Sequence, residues 1–395
     1  MIRHLLKVVW HRKRANALLM VEIFFSFLVV AVVLTVASSL ILRWHEPLGF
    51  DYHDVWLVSM DSSGPLQEDG DDPLWPLADR IVREVKSYPE IADAALSDTP
   101  AYGNSTSEGV WDVNGRRVVM KRDTVTDGFA NVMRLNVLRG RWFSKEDDGQ
   151  GYRPIVVDAD LARALFGDED PIGKKFDRDS KSGDRIVGIV APYRKDGEVA
   201  PTAENMVFLR TIPPKGMMPR NLLLRMRPGT PADFEQTLMT RLHATAPEVT
   251  FHLRRLDRMR QSFLRVRLAP AMVLGIIALF LISMVALGLT GVLWQTVTRR
   301  TREIGLRRAL GASGGNVRGQ VLAEVALIAT LALIAGVAIV LQLPLLGVFA
   351  LVQPSVFAIG VAAALAVIYA ITLTSGLYPS WLASRVAPAE ALRYE

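Results

Sequence analysis

Three long runs without a charged residue constrain the fold of this chain more than any other feature. They cover residues 23–42, 268–298 and 325–384, and are 20, 31 and 60 residues long. A helix of about 20 apolar residues spans the roughly 30 Å hydrocarbon core of a bilayer. The first two runs therefore predict one transmembrane helix each. The third predicts two, with a turn near Pro344, Gly347 and Pro354.

The placement of charge predicts the orientation of these helices. The first 16 residues hold five basic residues and no acid, and residues 299–318 hold six arginines against Glu303 alone. Short loops rich in Lys and Arg stay in the cytoplasm. Both termini and the central block are therefore predicted inside, and residues 43–267, with 33 basic and 35 acidic residues, outside. The basic excess then belongs to the cytoplasmic side, and no nucleic-acid partner is expected.

The predicted fold class is an α-helical membrane protein with four transmembrane helices and a mixed α/β extracytoplasmic domain inserted between helices 1 and 2. The predicted segments are a cytoplasmic amphipathic N-terminal helix (1–16), transmembrane helix 1 (17–42), the external α/β domain (43–267), transmembrane helix 2 with a stalk (268–298), a cytoplasmic coupling helix and loop (299–317), transmembrane helix 3 (318–342), a short external loop (343–354), transmembrane helix 4 (355–378) and a cytoplasmic C-terminal tail (379–395). The first span also resembles a secretory signal, but its apolar core is long enough to favour a retained anchor.

Residues 43–267 show the alternation of strand and helix patterns expected of an α/β domain. Strands are predicted at 54–60, 154–157, 185–190 and 221–226, and helices at 77–85, 158–166 and 231–244. Asn114-Gly115, between two β-prone runs, predicts a hairpin over 110–120. The acidic stretch 68–72 is predicted to be a solvated, mobile loop.

Segments that resemble catalytic or cofactor-binding motifs lack the residues or the spacing that those motifs require. Gly167, Gly173 and Lys174 imitate a phosphate loop, but five residues separate the glycines and Lys175 replaces the hydroxyl residue. Asp177 and Asp179 begin a calcium-loop pattern that later positions break. No His-Glu-x-x-His motif occurs, and cysteine is absent. The Gly-x-Ser-x-Gly spacing at residues 311–315 follows the charged block rather than the strand that a nucleophile elbow requires. We therefore expect no catalytic residue, metal or cofactor on this chain.

Two acids lie close to the apolar runs. Glu22 and Glu324 fall near the predicted cytoplasmic ends of their helices, where pairing with Arg14 or Arg318 costs little. A structural role is favoured over a proton or substrate path.

The charged block between the second and third runs is the candidate functional segment. Its residues are Arg302, Glu303, Ile304, Gly305, Leu306, Arg307, Arg308, Leu310, Gly311 and Ala312. Ile304, Leu306 and Leu310 can supply an apolar face, and Gly311 can end a helix. The arginines alone would serve to hold the loop inside. The order of residues favours a short amphipathic helix presented to a cytoplasmic partner.

Several motifs in one order resemble the MacB and FtsX group of ABC transporter permeases. Residues 299–312 look like the cytoplasmic signature of that group, and 376–393 like its C-terminal signature. In the external domain, Gly140-Arg-Trp-Phe143, Leu165-Phe-Gly167, Asp170-Pro-Ile-Gly-Lys174 and Val187-Gly-Ile-Val190 resemble the MacB periplasmic core. The resemblance implies a permease of the bacterial inner membrane that transmits ATP-driven motion to a periplasmic domain.

Unlike MacB, this sequence shows no ATPase region, so the resemblance implies ATP and Mg on a separate ABC ATPase subunit. It also implies a second permease copy or a paralogue, packed through small residues such as Gly275, Gly288 and Gly291. A periplasmic adaptor, an outer-membrane channel and membrane lipids are further possible partners. Export of an amphiphile is favoured. Lipoprotein extraction of the LolC/LolE type, FtsX-like regulation of a cell-wall hydrolase and an ATPase-independent sensor stay open.

Overall fold

The computed structural model describes residues 13–62, 72, 74–103, 105, 107–113, 115–176, 183–200, 204–211, 218–231, 233–299, 304, 306, 309–310, 313–348 and 352–385. The chain divides into two compact units. Residues 1–42 and 268–395 form the helical unit, and residues 43–267 form the α/β unit. The predicted N-terminal helix falls almost wholly outside the described residues.

The helices are α1 (Lys13–Trp44), α2 (Trp75–Lys86), α3 (Phe129–Met133), α4 (Ala159–Phe166), α5 (Phe234–Thr245), α6 (Leu256–Arg299), α7 (Gly314–Val340) and α8 (Pro354–Arg385). The strands are β1 (Val55–Ser62), β2 (Ile91–Ser97), β3 (Glu108–Val113), β4 (Arg116–Val125), β5 (Val137–Gly140), β6 (Pro154–Asp158), β7 (Arg185–Val190), β8 (Met206–Arg210), β9 (Asn221–Met226) and β10 (Val249–Arg255). Among the described residues, four helices are long and apolar enough to cross a membrane, namely α1, α6, α7 and α8. The predicted fold class is confirmed.

Two helices extend beyond the segments predicted from the uncharged runs. Helix α6 begins at Leu256 rather than near residue 268, because Leu256, Met259 and Phe263 recur at helical spacing and are buried in the α/β core. The basic residues between them hid this part of the helix from a search for uncharged runs. Helix α8 continues through Pro379 to Arg385. Proline weakens a helix interior without always ending it.

Helix α1 lies close to each of the other three long helices of the helical unit. Ile23, Phe27 and Ala31 are completely buried along one of its faces. Small residues let its neighbours approach closely. A Cβ atom added to Gly360 of α8 would lie 2.5 Å from the Cα atom of Thr35. One added to Gly336 of α7 would lie 2.5 Å from the ring of Phe27. Backbone contact of this kind is how transmembrane helices gain dispersion energy.

Gly360→Ala is therefore expected to destabilise the helical unit, since the new methyl group would collide with backbone that cannot move aside. Overpacking costs about 1–3 kcal/mol, which outweighs the ~1 kcal/mol that alanine gains over glycine in a helix. The matched control is Gly319→Ala, where open space surrounds the new methyl group. In detergent, thermal unfolding of Gly360→Ala should occur at a lower temperature than that of Gly319→Ala. Equal transitions would show that α8 does not pack closely on α1.

The α/β unit is built on one mixed sheet. Its order is β10-β1-β9-β2-β4-β8-β6-β7-β5, and β3 lies off this path and pairs with β4 as a hairpin. The β4–β8 and β6–β7 pairs are parallel, and the remaining pairs are antiparallel. Helices α2 and α5 cover one face of the β10 half. Helix α3 and the first turns of α6 pack on the opposite face, and α4 covers the β6–β7 region.

Most sequence predictions for this unit are confirmed, including the 110–120 hairpin, whose Gly115 has a φ of 75°. The prediction of a solvated loop at 68–72 is wrong for the last residue of this stretch. Asp72 is buried, accepts a hydrogen bond of 2.8 Å from Arg220 and another from the Met218 N–H group. Charge alone suggested solvent exposure, whereas these donors compensate the carboxylate for the loss of water. Residues 63–71 lie outside the described part.

Candidate functional sites: the 299–312 segment and the loop at 194–200

The 299–312 segment is described at Arg299, which ends α6, and at residues 304, 306, 309 and 310. Residues 304, 306, 309 and 310 belong to a helical turn, in which the Leu310 N–H group donates to the Leu306 carbonyl at 3.0 Å. The other predicted site residues lie outside the described residues, namely Arg302, Glu303, Gly305, Arg307, Arg308, Gly311 and Ala312. Their contribution to the segment therefore stays a prediction.

The apolar side chains of this turn point in two directions. Ile304 is buried in a small cluster with Val297 of α6 and Val317 of α7. Leu306 and Leu310 are 53% and 81% exposed. The prediction that all three share one face is wrong for Ile304, which attaches the segment to its own chain. Leu306 and Leu310, four residues apart, form the exposed apolar pair available to a partner.

The loop at 194–200, which we call the junction loop, lies in the α/β unit where α1 ends and α6 begins. Arg194 is 2% exposed and donates to four backbone carbonyls. Two belong to the end of α1 and the residues after it, with 2.7 Å to Arg43 and 3.3 Å to Glu46. Two belong to the loop itself, with 3.1 Å to Glu198 and 3.2 Å to Ala200. A guanidinium here satisfies the carbonyl groups that a helix C-terminus leaves unpaired.

The same loop holds the first turns of α6. Glu198 is almost fully buried and accepts from Arg260 of α6, at 2.7 Å from Nε and 2.6 Å from a terminal nitrogen. The Arg260 guanidinium also lies over two aromatic rings, 5.7 Å from the Trp44 centroid and 5.0 Å from the Tyr52 centroid. One short loop therefore contacts both helices that continue into the helical unit.

Backbone conformation holds the Tyr102 ring against the junction loop. Gly197 has a φ of 70°, and a Cβ atom added there would lie 2.4 Å from the Tyr102 ring. Tyr102 itself has a φ of 57°, uncommon for a residue other than glycine, and its N–H group donates to the Lys195 carbonyl at 3.0 Å. Burial raises the pKa of the Tyr102 hydroxyl, which therefore stays neutral at physiological pH.

The charges next to this wall are buried as well. Lys195 is 1% exposed, and its ammonium group donates to the Ser105 carbonyl at 2.7 Å. Burial lowers the pKa of Lys195. Lys121 forms ion pairs of 2.8 Å with Asp196 and with Glu204, of which Glu204 is buried. Nothing in the sequence pattern pointed to Arg194 or Glu198, because their partners are carbonyl groups and a residue 62 positions away.

The motif-like sequences of the α/β unit have structural roles. Gly167 follows the last residue of α4 with a φ of 62°, and Lys174 pairs with Glu169 at 2.5 Å. Asp177 and Asp179 lie outside the described residues. Within the described part, no group of three or more His, Asp or Glu side chains could hold a metal ion.

Comparison with protein-family models gives two matches along this chain. The MacB-like periplasmic core domain matches residues 17–241, and the FtsX-like permease C-terminal domain matches residues 275–388. The chain belongs to the MacB/FtsX-like family of ABC transporter permeases. In this permease, the core-domain match contains the junction loop, and the FtsX-like match contains the 299–312 segment. It is thus a multi-pass membrane protein with a MacB-like domain.

The curated relatives include macrolide export ATP-binding/permease proteins MacB. The relative from Chlorobium luteolum is 28% identical over 270 residues, covering 65% of this permease and 40% of the relative. The one from Chlorobaculum tepidum is 29% identical over 276 residues, covering 65% and 41%. The permease therefore spans about two fifths of the length of these relatives.

Solved structures of external domains also align with the permease. The periplasmic region of MacB from Actinobacillus actinomycetemcomitans aligns at 14% identity and a TM-score of 0.38, covering 56% of this chain and 97% of that one. The extracellular domain of the transporter YknZ from Gram-positive bacteria aligns at 12% identity and a TM-score of 0.34, covering 50% and 99%.

Proposed function

We propose that this permease transmits ATP-driven conformational change from a separate ABC ATPase to its α/β domain, in MacB-type export of an amphiphilic substrate. ATP and Mg bind the ATPase, which docks on the 299–312 segment. The permease sits in the bacterial inner membrane with both termini in the cytoplasm and the α/β domain in the periplasm. The charge distribution supports this orientation, since the basic excess lies outside residues 43–267.

The observation that carries the proposal is the exposed pair Leu306 and Leu310 beside the buried anchor Ile304. An apolar surface of this kind suits a groove on a partner, while the anchor ties its movement to α6 and α7. At the other end of α6, the junction loop contacts both α1 and α6. Movement of these helices is therefore able to reach the fold of the α/β unit through packed, hydrogen-bonded groups.

A second permease copy, or a paralogue, completes the proposed assembly. Helix α6 is the least buried of the four candidate spans. Gly275 and Gly291 on this helix have open space around them, whereas a Cβ atom added to Gly288 would lie 2.8 Å from the Glu22 carboxylate of the same chain. Gly275 and Gly291 are therefore the better candidates for close contact with the second copy, and Gly288 serves packing within one chain.

Affinity purification of the tagged permease from its native cells in mild detergent tests this function. Mass spectrometry should find an ABC ATPase with the wild type, and at least tenfold less of it with Glu303→Lys, because reversing the charge places a cation where the partner is proposed to bind. Glu146→Lys, an exposed charge reversal in the α/β unit, is the matched control and should retain the ATPase.

Failure to recover an ATPase from the wild type would overturn the proposal in favour of an ATPase-independent sensor. The other retained proteins discriminate among the branches of the family. An adaptor supports export, whereas a lipoprotein supports LolC/LolE-like extraction and a cell-wall hydrolase supports FtsX-like regulation.

A further inference from the structure

A cavity of about 580 Å³ opens in the α/β unit beside the junction loop. Its volume falls in the range of small-molecule binding sites. One wall comes from Tyr102 and Lys195, and the opposite wall comes from the end of β10 and the first turns of α6. The cavity therefore lies against the residues that hold the two long helices to the domain.

The α6 wall carries an apolar stripe that is flanked by Arg258, Ser262 and Arg267. Met259 and Phe263 are 7% and 9% exposed, and Val266, one turn further, is 73% exposed. All three line the cavity. Their spacing places them on one face of α6, directly before the uncharged run that begins at Leu268. An alkyl chain on this face would contact mainly Val266, beside the small exposed parts of Met259 and Phe263.

The rim of the cavity is basic. Arg254, Arg258 and Arg267 line it, and none of them forms an ion pair with the described carboxylates. Arg267 instead lies 5.0 Å over the Phe263 ring, which brings a cation to the edge of the apolar wall. Guanidinium groups bind phosphate and carboxylate through paired hydrogen bonds, which makes arginine the usual residue for such recognition.

The net charge of the cavity lining is positive, although three acidic residues belong to it. Asp196 forms an ion pair of 2.8 Å with Lys121, which also pairs with Glu204. Glu108 and Glu235 are the other acids of the lining, and both are exposed. Tyr102 lines the cavity, and its hydroxyl group is buried beside Arg260 and Glu198.

We propose that this cavity binds an anionic amphiphile, with the acidic headgroup on Arg258 and Arg267 and the apolar chain along Phe263 and Val266. This inference rests on the proposed export function for its role, because it names the chemical class of the transported molecule. A ligand in this place touches the first turns of α6 and the Tyr102 wall that packs on Gly197. Binding of this ligand would therefore change the contacts of the junction loop.

The test uses the full permease in a neutral detergent, titrated with dihexanoyl phosphatidylglycerol and, in parallel, with dihexanoyl phosphatidylcholine of the same chain length. Calorimetry should show binding of the anionic lipid at least tenfold tighter than of the zwitterionic one. The double variant Arg258→Gln/Arg267→Gln should lose at least tenfold of this affinity. Arg227→Gln, an exposed arginine away from the cavity, is the matched control and should bind like the wild type.

Equal affinity for the two lipids, or wild-type affinity in the double variant, would overturn the proposal. Inorganic phosphate is the third probe, and binding as tight as that of the anionic lipid would contradict the role of the apolar wall. Thermal unfolding of each variant checks that the fold is intact. ATPase recovery with the wild type separates the two proposals, since a wild-type permease that retains its ATPase but does not prefer the anionic lipid contradicts only the cavity proposal.

Discussion

Arg194→Ala is expected to lower the stability of the α/β unit by about 3–5 kcal/mol and to release the end of α1 from the domain. The substitution removes a donor shared by four carbonyl groups, and those of Glu198 and Ala200 are buried. Each unsatisfied buried group costs about 1–3 kcal/mol, and the packing of the Arg194 side chain is lost as well. Two of these carbonyls belong to Arg43 and Glu46. Hydrogen exchange measured by mass spectrometry in the full permease should therefore rise in the peptide that contains residues 40–48.

The α/β unit offers a matched control for this prediction. Arg225 is also buried, and it donates to the carbonyls of Asp51, His53 and Val132, all away from the end of α1. Arg225→Ala should destabilise the unit to a similar extent without singling out the peptide at 40–48. Arg194→Lys keeps the charge with fewer donors and should give an intermediate effect if Arg194→Ala does not fold. If hydrogen exchange at residues 40–48 rose equally in the Arg194 and Arg225 variants, the claim that Arg194 holds the end of α1 would be contradicted.

Leu306→Asp/Leu310→Asp is expected to remove the ATPase while leaving the fold of the permease intact. Both side chains are mostly exposed, so the substitutions cost little in the permease alone. Loss of two central apolar contacts at an interface costs about 2 kcal/mol or more each, and 1.4 kcal/mol corresponds to a tenfold change in affinity. The amount of ATPase that co-purifies should therefore fall at least tenfold, with an unchanged unfolding temperature.

The control for this pair is Leu345→Asp/Leu346→Asp. These two leucines are 85% and 74% exposed in the turn between α7 and α8, so they match the test pair in chemistry and exposure. Their replacement should leave ATPase recovery at the wild-type level. Equal loss in both double variants would attribute the effect to added charge rather than to docking at Leu306 and Leu310.

The main features of the fold could be predicted because they depend on local pattern. Uncharged runs located the four membrane helices, and the Asn114-Gly115 pair located a hairpin. The start of α6 at Leu256 was missed for a physical reason. Its first turns are amphipathic, with Arg258 and Arg265 exposed to solvent and Met259 and Phe263 facing the core. A search based on lack of charge does not detect such a helix, although its apolar spacing would have revealed it.

The two candidate sites also differ in how far the sequence could predict them. The 299–312 segment is a run of neighbouring residues and could be recognised directly, but which side chains face outward depends on packing. Ile304 is buried only because Val297 and Val317 lie next to it in the folded chain. Arg194 and Glu198 could not be identified from the sequence, because one binds backbone carbonyls and the other binds Arg260. Such contacts between distant parts of the chain leave no local signature.

Site-specific cross-linking from residue 310 tests the central claim most directly. The permease has no cysteine, so Leu310→Cys introduces a single attachment point for a photoactivatable cross-linker at a side chain that is 81% exposed. Irradiation of membranes prepared with the native partner should yield one dominant product that contains an ABC ATPase, and Ile304→Cys, at a buried position, should yield much less of it. Products without an ATPase from position 310 would contradict the docking of an ATPase on this segment.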